Sequence, residues 1–367
     1  MRRIAALLLL AGATACASSH PGATPTVMPT VMPTVAPTSA TPTPLAPSLG
    51  SAASSVAGSS ARTTTAGSAA ASATVTHAAP APIQPIPRPR PSGPPCTAPA
   101  PPKALRMTVD GVARVALTAA PANSGSQRVP LVIALHGYDQ QADYFAEYTK
   151  LLTAAPRVGA MIAIPQGVGT PPGWNVPDSD EVGPSDVHYL GALITRLVET
   201  TCADPTKVVL AGLSDGSDMA VTAACALPGR VAGVLLVAAS TGPSPSCRPE
   251  DVVQIHGTAD PIDAYTGRPK DLRRGFGSVK AAGAERAFAL WSHLDGCPSR
   301  EVRTQRDLRF LHALRCAHDS VLLIAVEGGG HTWPGARPRP ELGPTTTSLN
   351  TVGLLDLVLD EVYPTRL

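Results

Sequence analysis

The serine at position 214 lies in a Gly-x-Ser-x-Gly pattern that runs from Gly212 to Gly216. The aliphatic run Val208–Leu210 precedes this pattern, and helix-forming residues follow it. A strand that turns sharply into a helix exposes a serine hydroxyl as a nucleophile, and the small residues on either side allow the turn. Because glycine and serine are common in this chain, the pentapeptide alone is weak evidence. The prediction therefore depends on partners found elsewhere in the sequence.

An acid and a base follow the serine in the chain order that such a nucleophile requires. An imidazole accepts the serine proton and later gives it to the leaving group, and a carboxylate holds the imidazole in the required tautomer. Asp260 and His331 each come shortly after a predicted strand. We therefore predict a catalytic triad of Ser214, Asp260 and His331, with Asp263 as the alternative acid.

The negative charge of a tetrahedral intermediate needs backbone N–H groups directed at it. We predict that the amide of Asp215, directly after the nucleophile, is one donor and that the amide of Tyr138, after an early strand, is the other. His136 is expected to brace this early loop by hydrogen bonding. Trp174 and Trp333 are candidates to line an apolar substrate groove, and core packing is the equal alternative for both.

These residues need a parallel sheet to bring them together, because functional groups gather at the carboxyl ends of parallel strands. Continuous apolar runs predict buried parallel strands at 131–135, 161–164, 208–210, 234–237, 252–255 and 321–326. Helices are predicted near 141–154, 187–200, 215–226, 279–294 and 349–362. Asp110-Gly111 predicts a two-residue hairpin turn. The fold class predicted is α/β, a doubly wound, mostly parallel sheet that opens with an antiparallel N-terminal hairpin.

The chain is predicted to have three parts. Residues 1–16 join a charged start to a short apolar stretch, which predicts a signal peptide, and Cys16 is the predicted lipidation site. Cleavage near Ala15 or Ala17 with release of the protein is the alternative. Residues 17–102 are rich in Pro, Ala, Thr and Ser and predict a disordered linker. Residues 103–367 are the predicted catalytic domain, which we expect to act outside the cytoplasm.

Charge and cysteine usage limit the partners. The formal net charge is +2, and five arginines lie outside the predicted domain, so no nucleic-acid partner is expected. Setting Cys16 aside leaves an even number of cysteines, as in exported proteins with disulfides. The connectivity is open from sequence, and our choice is Cys297–Cys316, Cys225–Cys247 and Cys96–Cys202. No spacing resembles a zinc site, so no metal is predicted.

Four motifs together resemble a known group, the extracellular polyhydroxybutyrate depolymerase-like esterases, which includes feruloyl, acetylxylan and lipoprotein esterases. The motifs are His136-Gly137, Gly212–Gly216, His256–Asp260 and Gly328–Gly335. The resemblance spans most of residues 131–335 and implies an α/β-hydrolase fold and an esterase that needs no cofactor. Two positions depart from the family pattern. Ser217 stands where a glycine is common, and Asp263-Ala264-Tyr265 replaces Val-Pro-Tyr.

We therefore expect an exported serine esterase that cleaves carboxylic esters through an acyl-Ser214 intermediate. Polyhydroxybutyrate and the feruloyl or acetyl esters of plant polysaccharides are competing substrates. A peptidase on the same fold and a noncatalytic envelope-binding lipoprotein are the alternatives. The only membrane contact expected is through a lipid on Cys16, and the sequence leaves the oligomeric state open.

Overall fold

The structure, a computed structural model, describes residues 95–121, 127–176, 185–245, 247–248, 250–268, 273–275, 278–280 and 282–362. The predicted signal peptide, Cys16 and most of the predicted linker lie outside the described residues. Within these ranges, no helix has the length and apolar character needed to cross a membrane.

The strands of the described residues form one large and one small sheet. The strands are β1 (Ala104–Val109), β2 (Val112–Ala119), β3 (Val129–Leu135), β4 (Met161–Pro165), β5 (Ala203–Leu213), β6 (Gly233–Val237), β7 (Gly242–Pro243), β8 (Asp251–Gly257), β9 (Arg273–Gly275), β10 (Ser278–Lys280), β11 (Ser299–Gln305), β12 (Leu308–Leu314) and β13 (Val321–Val326). The large sheet has the order β1-β2-β4-β3-β5-β6-β8-β13-β12-β11, and the small sheet has the order β7-β10-β9.

The large sheet has the predicted α/β-hydrolase architecture. Strands β4, β3, β5, β6, β8 and β13 pair in parallel, and β1 pairs with β2 as an antiparallel hairpin. The central strands are covered on both faces, and every residue of β4, β6 and β13 is buried. This burial explains why the sequence of these strands is continuously apolar and does not alternate.

Helices cover the two faces of the large sheet. They are α1 (Ala142–Thr149), α2 (Leu151–Val158), α3 (Asp186–Thr200), α4 (Asp215–Ala226), α5 (Ala284–Leu294) and α6 (Thr351–Val362). One apolar core lies between the sheet and α3, α4 and α5, and a second lies between the sheet and α1, α2 and α6. The doubly wound arrangement predicted from the alternation of strands and helices is thus confirmed.

Three local features differ from the sequence prediction. The helix predicted over 141–154 is divided in two, because Lys150 has a left-handed backbone with φ of 59°. The helix predicted from residue 279 begins only at Ala284, because residues 278–280 form β10. The antiparallel hairpin of β11 and β12 was not predicted, since Ser299–Gln305 is almost entirely polar and carries no continuous apolar run.

Three disulfides join the pairs chosen from the sequence. Cys96 is bonded to Cys202, Cys225 to Cys247, and Cys297 to Cys316. The first disulfide joins the start of the described residues to the residue before β5, across a sequence separation of 106 residues. The third ties the end of α5 to the end of β12. Bonds of this kind are typical of oxidising compartments.

Candidate active site

Ser214 occupies a strained turn between β5 and α4. Its backbone has φ of 55° and ψ of −121°, a conformation that non-glycine residues rarely adopt. A Cβ on Gly212 would lie 2.3 Å from the backbone of Gly216, and a Cβ on Gly216 would lie 2.2 Å from the carbonyl oxygen of Leu135. Only glycine fits at either position. A strained strand-to-helix turn therefore lies where the sequence predicts a nucleophile elbow, with a partly exposed serine at its tip.

Hydrogen bonds join the turn at Ser214 to the neighbouring strand β6. The Ser214 N–H donates to the Val237 carbonyl at 2.9 Å. The Ser217 hydroxyl donates to the same carbonyl at 3.1 Å and accepts from the Val237 N–H at 3.0 Å. Ser217, which departs from the family pattern, thus ties the first turn of α4 to β6 and keeps Ser214 in place.

Asp260 and His331 are in direct contact. The Nδ1 atom of His331 lies 2.8 Å from Asp260 Oδ2, and the two side chains are 7% and 0% exposed. Asp260 Oδ1 accepts the backbone N–H groups of Ile262 and Asp263 at 2.8 and 2.9 Å. The carboxylate therefore has a fixed orientation and holds Nδ1 of His331. Nε2 remains as the ring nitrogen that can accept a proton.

The loops that carry these two residues are joined through their backbones. The Ala259 N–H donates to the Gly329 carbonyl at 2.9 Å, and this bond joins the two loops. The His331 N–H donates to the Leu342 carbonyl at 2.6 Å and so joins its own loop to the turn at Pro340–Leu342. Ser214 follows β5, Asp260 follows β8 and His331 follows β13, and these strands are parallel members of one sheet. The three candidates therefore share the carboxyl edge of the sheet.

Asp263, the alternative acid, has other partners. Its carboxylate accepts the Ser240 N–H at 2.8 Å and the Ser240 hydroxyl at 3.0 Å, and it lies 3.8 Å from Nε2 of His256. Burial acts to raise the pKa of Asp263, but His256 and the Ser240 donors outweigh it and hold the pKa below its usual value. Asp263 thus links the ends of β6 and β8, and the contact with His331 belongs to Asp260.

His136 has the bracing geometry expected for it. Its Nε2 accepts the Gly167 N–H at 2.9 Å, and its Nδ1 lies 2.8 Å from the Gly137 carbonyl, so the proton resides on Nδ1. Burial lowers the pKa of His136 by more than the hydrogen bond with Gly137 raises it, which favours the neutral ring. The Gly137 N–H donates to Gln140 Oε1 at 3.1 Å. The next amide, that of Tyr138, remains the candidate oxyanion donor of this loop.

Trp174 and Trp333 do not line a groove, and their assignment as groove candidates is wrong. Both side chains are completely buried. The indole N–H of Trp174 donates to the His136 carbonyl at 2.8 Å, and its ring lies 4.8 Å from the His136 ring. The Trp333 ring packs edge-on against Phe145, and its N–H donates to Thr351. Both are therefore packing residues. A buried indole needs a hydrogen-bond partner for its N–H, and for both tryptophans the interior supplies one.

Asp186 positions the loop of Trp174, a role that sequence reasoning did not assign. Its carboxylate accepts the Asn175 N–H at 2.7 Å and forms an ion pair with Arg114 at 2.8 Å, with both side chains almost fully buried. Burial raises the pKa of Asp186 despite these two partners. The Trp174 N–H in turn donates to Asp215 Oδ2 at 3.1 Å, and Asp215 directly follows Ser214, the candidate nucleophile. The pairing of Asp186 with the distant Arg114 has no sequence signal.

Within the described residues, no group of three or more His, Cys, Asp or Glu side chains is arranged to hold a metal ion. The chemistry available at the site is that of a hydroxyl, an imidazole, a carboxylate and backbone amides. This set suits acyl transfer, in which a serine is acylated and then released by water.

Comparison with known proteins shows that this chain is similar to esterases. Residues 115–274 match the family described as esterase PHB depolymerase, a range that includes Ser214 and Asp260 and ends before His331. A putative esterase, NocK, from Nocardia uniformis subsp. tsuyamanensis is 31% identical over 230 residues, which cover 56% of this chain and 66% of that protein. Feruloyl esterase B from Piromyces equi is 26% identical over 226 residues, which cover 57% of this chain and 40% of that protein. The resemblance predicted from the motifs is confirmed.

A solved structure, acetyl xylan esterase from Aspergillus awamori, aligns with a TM-score of 0.46 and 14% identity, covering 62% of this chain and 94% of that chain. The aligned regions reach at most 66% of the length of the two curated relatives above. The activity and substrates of the whole protein are therefore matters of proposal.

Proposed function

Because the chain carries an esterase PHB depolymerase domain over residues 115–274, we propose that the protein is a serine esterase that cleaves carboxylic esters through an acyl-Ser214 intermediate. The observation that carries the proposal is the contact between Asp260 and His331, at the sheet edge where the strained Ser214 turn also lies. A noncatalytic protein has no need of a strained serine and a buried His–Asp pair together.

The proposed reaction has two halves. In the first, Ser214 Oγ attacks the ester carbonyl carbon while its proton passes to Nε2 of His331, and the Asp260 carboxylate stabilises the resulting imidazolium. The amides of Asp215 and Tyr138 hold the negative oxygen of the tetrahedral intermediate. Collapse of this intermediate breaks the bond to the alcohol, which leaves with the proton from His331. In the second half, water replaces Ser214 by the same route, and the carboxylic acid leaves.

The class of substrate is that of the similar proteins. These include a feruloyl esterase and a family described as a PHB depolymerase, so esters of hydroxyalkanoates and of plant polysaccharides are both candidates. A peptidase on the same fold remains the second candidate function. Turnover of an aryl ester without turnover of the matching anilide separates the two, because the amide has the poorer leaving group.

The proposal also covers location. The predicted signal peptide of residues 1–16, with lipidation at Cys16, and the predicted linker of residues 17–102 would place the enzyme of residues 103–367 outside the cytoplasm. The three disulfides support an oxidising compartment. Mass spectrometry of the N-terminal peptide tests lipidation, because an unmodified start near Ala17 would contradict it.

The central test is hydrolysis of 4-nitrophenyl acetate by the purified full chain, with Ser214→Ala and His331→Ala beside it. We expect each variant to lose activity by about 10⁴-fold or more. Ser292→Ala is the matched control, because its hydroxyl only bonds the Phe288 carbonyl within α5. A fluorophosphonate should label the wild type on the Ser214 peptide. Undiminished turnover by Ser214→Ala would overturn the proposal.

A further inference from the structure

Three large apolar side chains are strongly exposed among the described residues. They are Tyr138 at 53%, Ile262 at 47% and Val302 at 53%. A single exposed apolar residue needs no explanation. The location of two of them is the informative point, since Tyr138 lies on the loop of the candidate oxyanion amide and Ile262 lies two residues after Asp260. Val302 lies elsewhere, on the edge strand β11.

The strands that precede Tyr138 and Ile262 lie on opposite sides of β5, the strand that precedes Ser214. Tyr138 follows β3, Ser214 follows β5 and Ile262 follows β8, in a sheet whose local order is β3-β5-β6-β8. Neighbouring strands are about 4.8 Å apart, so the ends of β3 and β8 are separated by roughly 14 Å with the nucleophile between them. An ester that extends to both sides of its scissile bond spans such a distance.

The backbone at each of these two positions is fixed. The Ile262 N–H donates to Asp260 Oδ1 at 2.8 Å, and its carbonyl accepts from the Arg268 guanidinium. On the other side, the Asp139 N–H, next to Tyr138, donates to the Pro172 carbonyl at 2.8 Å. Apolar side chains that are exposed on a fixed backbone bind a ligand with little further loss of conformational entropy.

From this placement we propose that Tyr138 and Ile262 are specificity-determining residues that contact the apolar groups on the two sides of the scissile ester. The inference rests on the proposed esterase function and deepens it. It assigns to the site a preference for esters with extended apolar groups over acetyl esters. Tyr138 and Ile262 make the aromatic and aliphatic contacts with the substrate. Trp174 and Trp333 cannot make them, because both are buried.

The test uses the purified full chain and compares kcat/KM within two pairs of esters. 4-Nitrophenyl octanoate and 4-nitrophenyl acetate differ in the acyl group, and octyl acetate and ethyl acetate differ in the alcohol. One of the variants Tyr138→Ser and Ile262→Ser should lower the octanoate-to-acetate ratio by about 5- to 10-fold, because the acyl chain loses an apolar contact. The other variant should lower the octyl-to-ethyl ratio by a similar factor, because the alcohol chain loses its contact. Tyr138→Phe and Ile262→Val should retain both ratios, since both remain apolar. Val302→Ser is the matched control, with equal exposure on a distant edge strand, and it should leave both ratios unchanged.

Each outcome of this comparison either supports or contradicts the inference. Equal losses on the long and the short ester of each pair would show that the side chains act only through the neighbouring catalytic loops, and they would overturn the inference. A changed ratio in Val302→Ser would overturn it too, because general surface apolarity would then be the cause. Failure of the esterase proposal would appear differently, as wild-type activity on every ester no higher than that of Ser214→Ala.

Discussion

At the scale of single residues, two carboxylates three positions apart have separate tasks. Asp260 contacts His331, whereas Asp263 is held by Ser240. We expect Asp260→Asn to lower kcat for 4-nitrophenyl acetate by about 10⁴-fold, because the amide favours the wrong tautomer of His331. Asp263→Asn should cause a much smaller loss.

Thermal unfolding of both Asp variants separates a catalytic effect from a folding effect. Asp260→Asn should melt close to the wild type at neutral pH, since an asparagine side chain still accepts from Ile262 and Asp263. A larger kcat loss in Asp263→Asn than in Asp260→Asn would reverse the assignment of the acid.

The sequence was sufficient to place a candidate acid after β8, because strand position and chain order are both readable from it. The contact with His331 is what distinguishes Asp260 from Asp263. The sequence was not sufficient for Trp174 and Trp333. Their types suit a groove and a core equally, and only burial, which depends on distant segments such as α1 and α6, distinguishes the two. The hydrogen bonds between Ser217 and Val237 likewise could not be predicted from the sequence, because they join positions 20 residues apart.

At the scale of elements, the turn between β5 and α4 depends on close approach of backbones. A Cβ on Gly212 would lie 2.3 Å from the Ser217 nitrogen and from Gly216. We therefore expect Gly212→Ala to lower the free energy of unfolding by about 3 kcal/mol or more, with loss of esterase activity. Urea unfolding with the disulfides intact measures this.

Gly191→Ala is the matched control for the Gly212 prediction. Gly191 lies inside α3, and its added Cβ would meet Leu227 at 3.4 Å, an ordinary contact. Alanine in a helix interior is favoured over glycine by about 0.5–1 kcal/mol, so this variant should be slightly stabilised and fully active. If both variants unfolded at the same urea concentration, close packing would not be what selects glycine at the elbow.

Elements with a strong apolar pattern were predictable, and elements set by distant contacts were not. The central strands are covered on both faces, so their sequences carry a continuous apolar run. Among the described strands, β11 pairs with β12 alone and forms an exposed edge, and its polar sequence resembles a loop. The break at Lys150 has a similar cause, because nothing in the residue type demands a left-handed backbone.

At the scale of the whole molecule, a cluster of buried acids lies away from the candidate site, around the start of β8 and the end of α5. Burial, and then the negative charge of Asp319 and Asp251, raises the pKa of Glu250 to about 8. Asp295 is buried as well, and burial followed by the charge of Asp319 raises its pKa to about 7. Arg248 opposes the shift of Glu250 but does not cancel it.

This cluster makes stability depend on pH in a defined direction. Between about pH 4.5 and pH 8 the unfolded chain ionises Glu250 while the folded chain keeps it protonated, so the folded state binds more protons. The free energy of unfolding therefore falls as pH rises through this window. Glu250→Gln cannot ionise, and its fall between pH 5 and pH 8 should be smaller by about 1–3 kcal/mol. Urea unfolding at both pH values measures the difference.

Glu147→Gln changes an exposed position on α1 and is the control for this prediction, so it should follow the wild type. Parallel pH dependence in Glu250→Gln and the wild type would contradict the prediction, because the cluster would then be ionised in the folded protein.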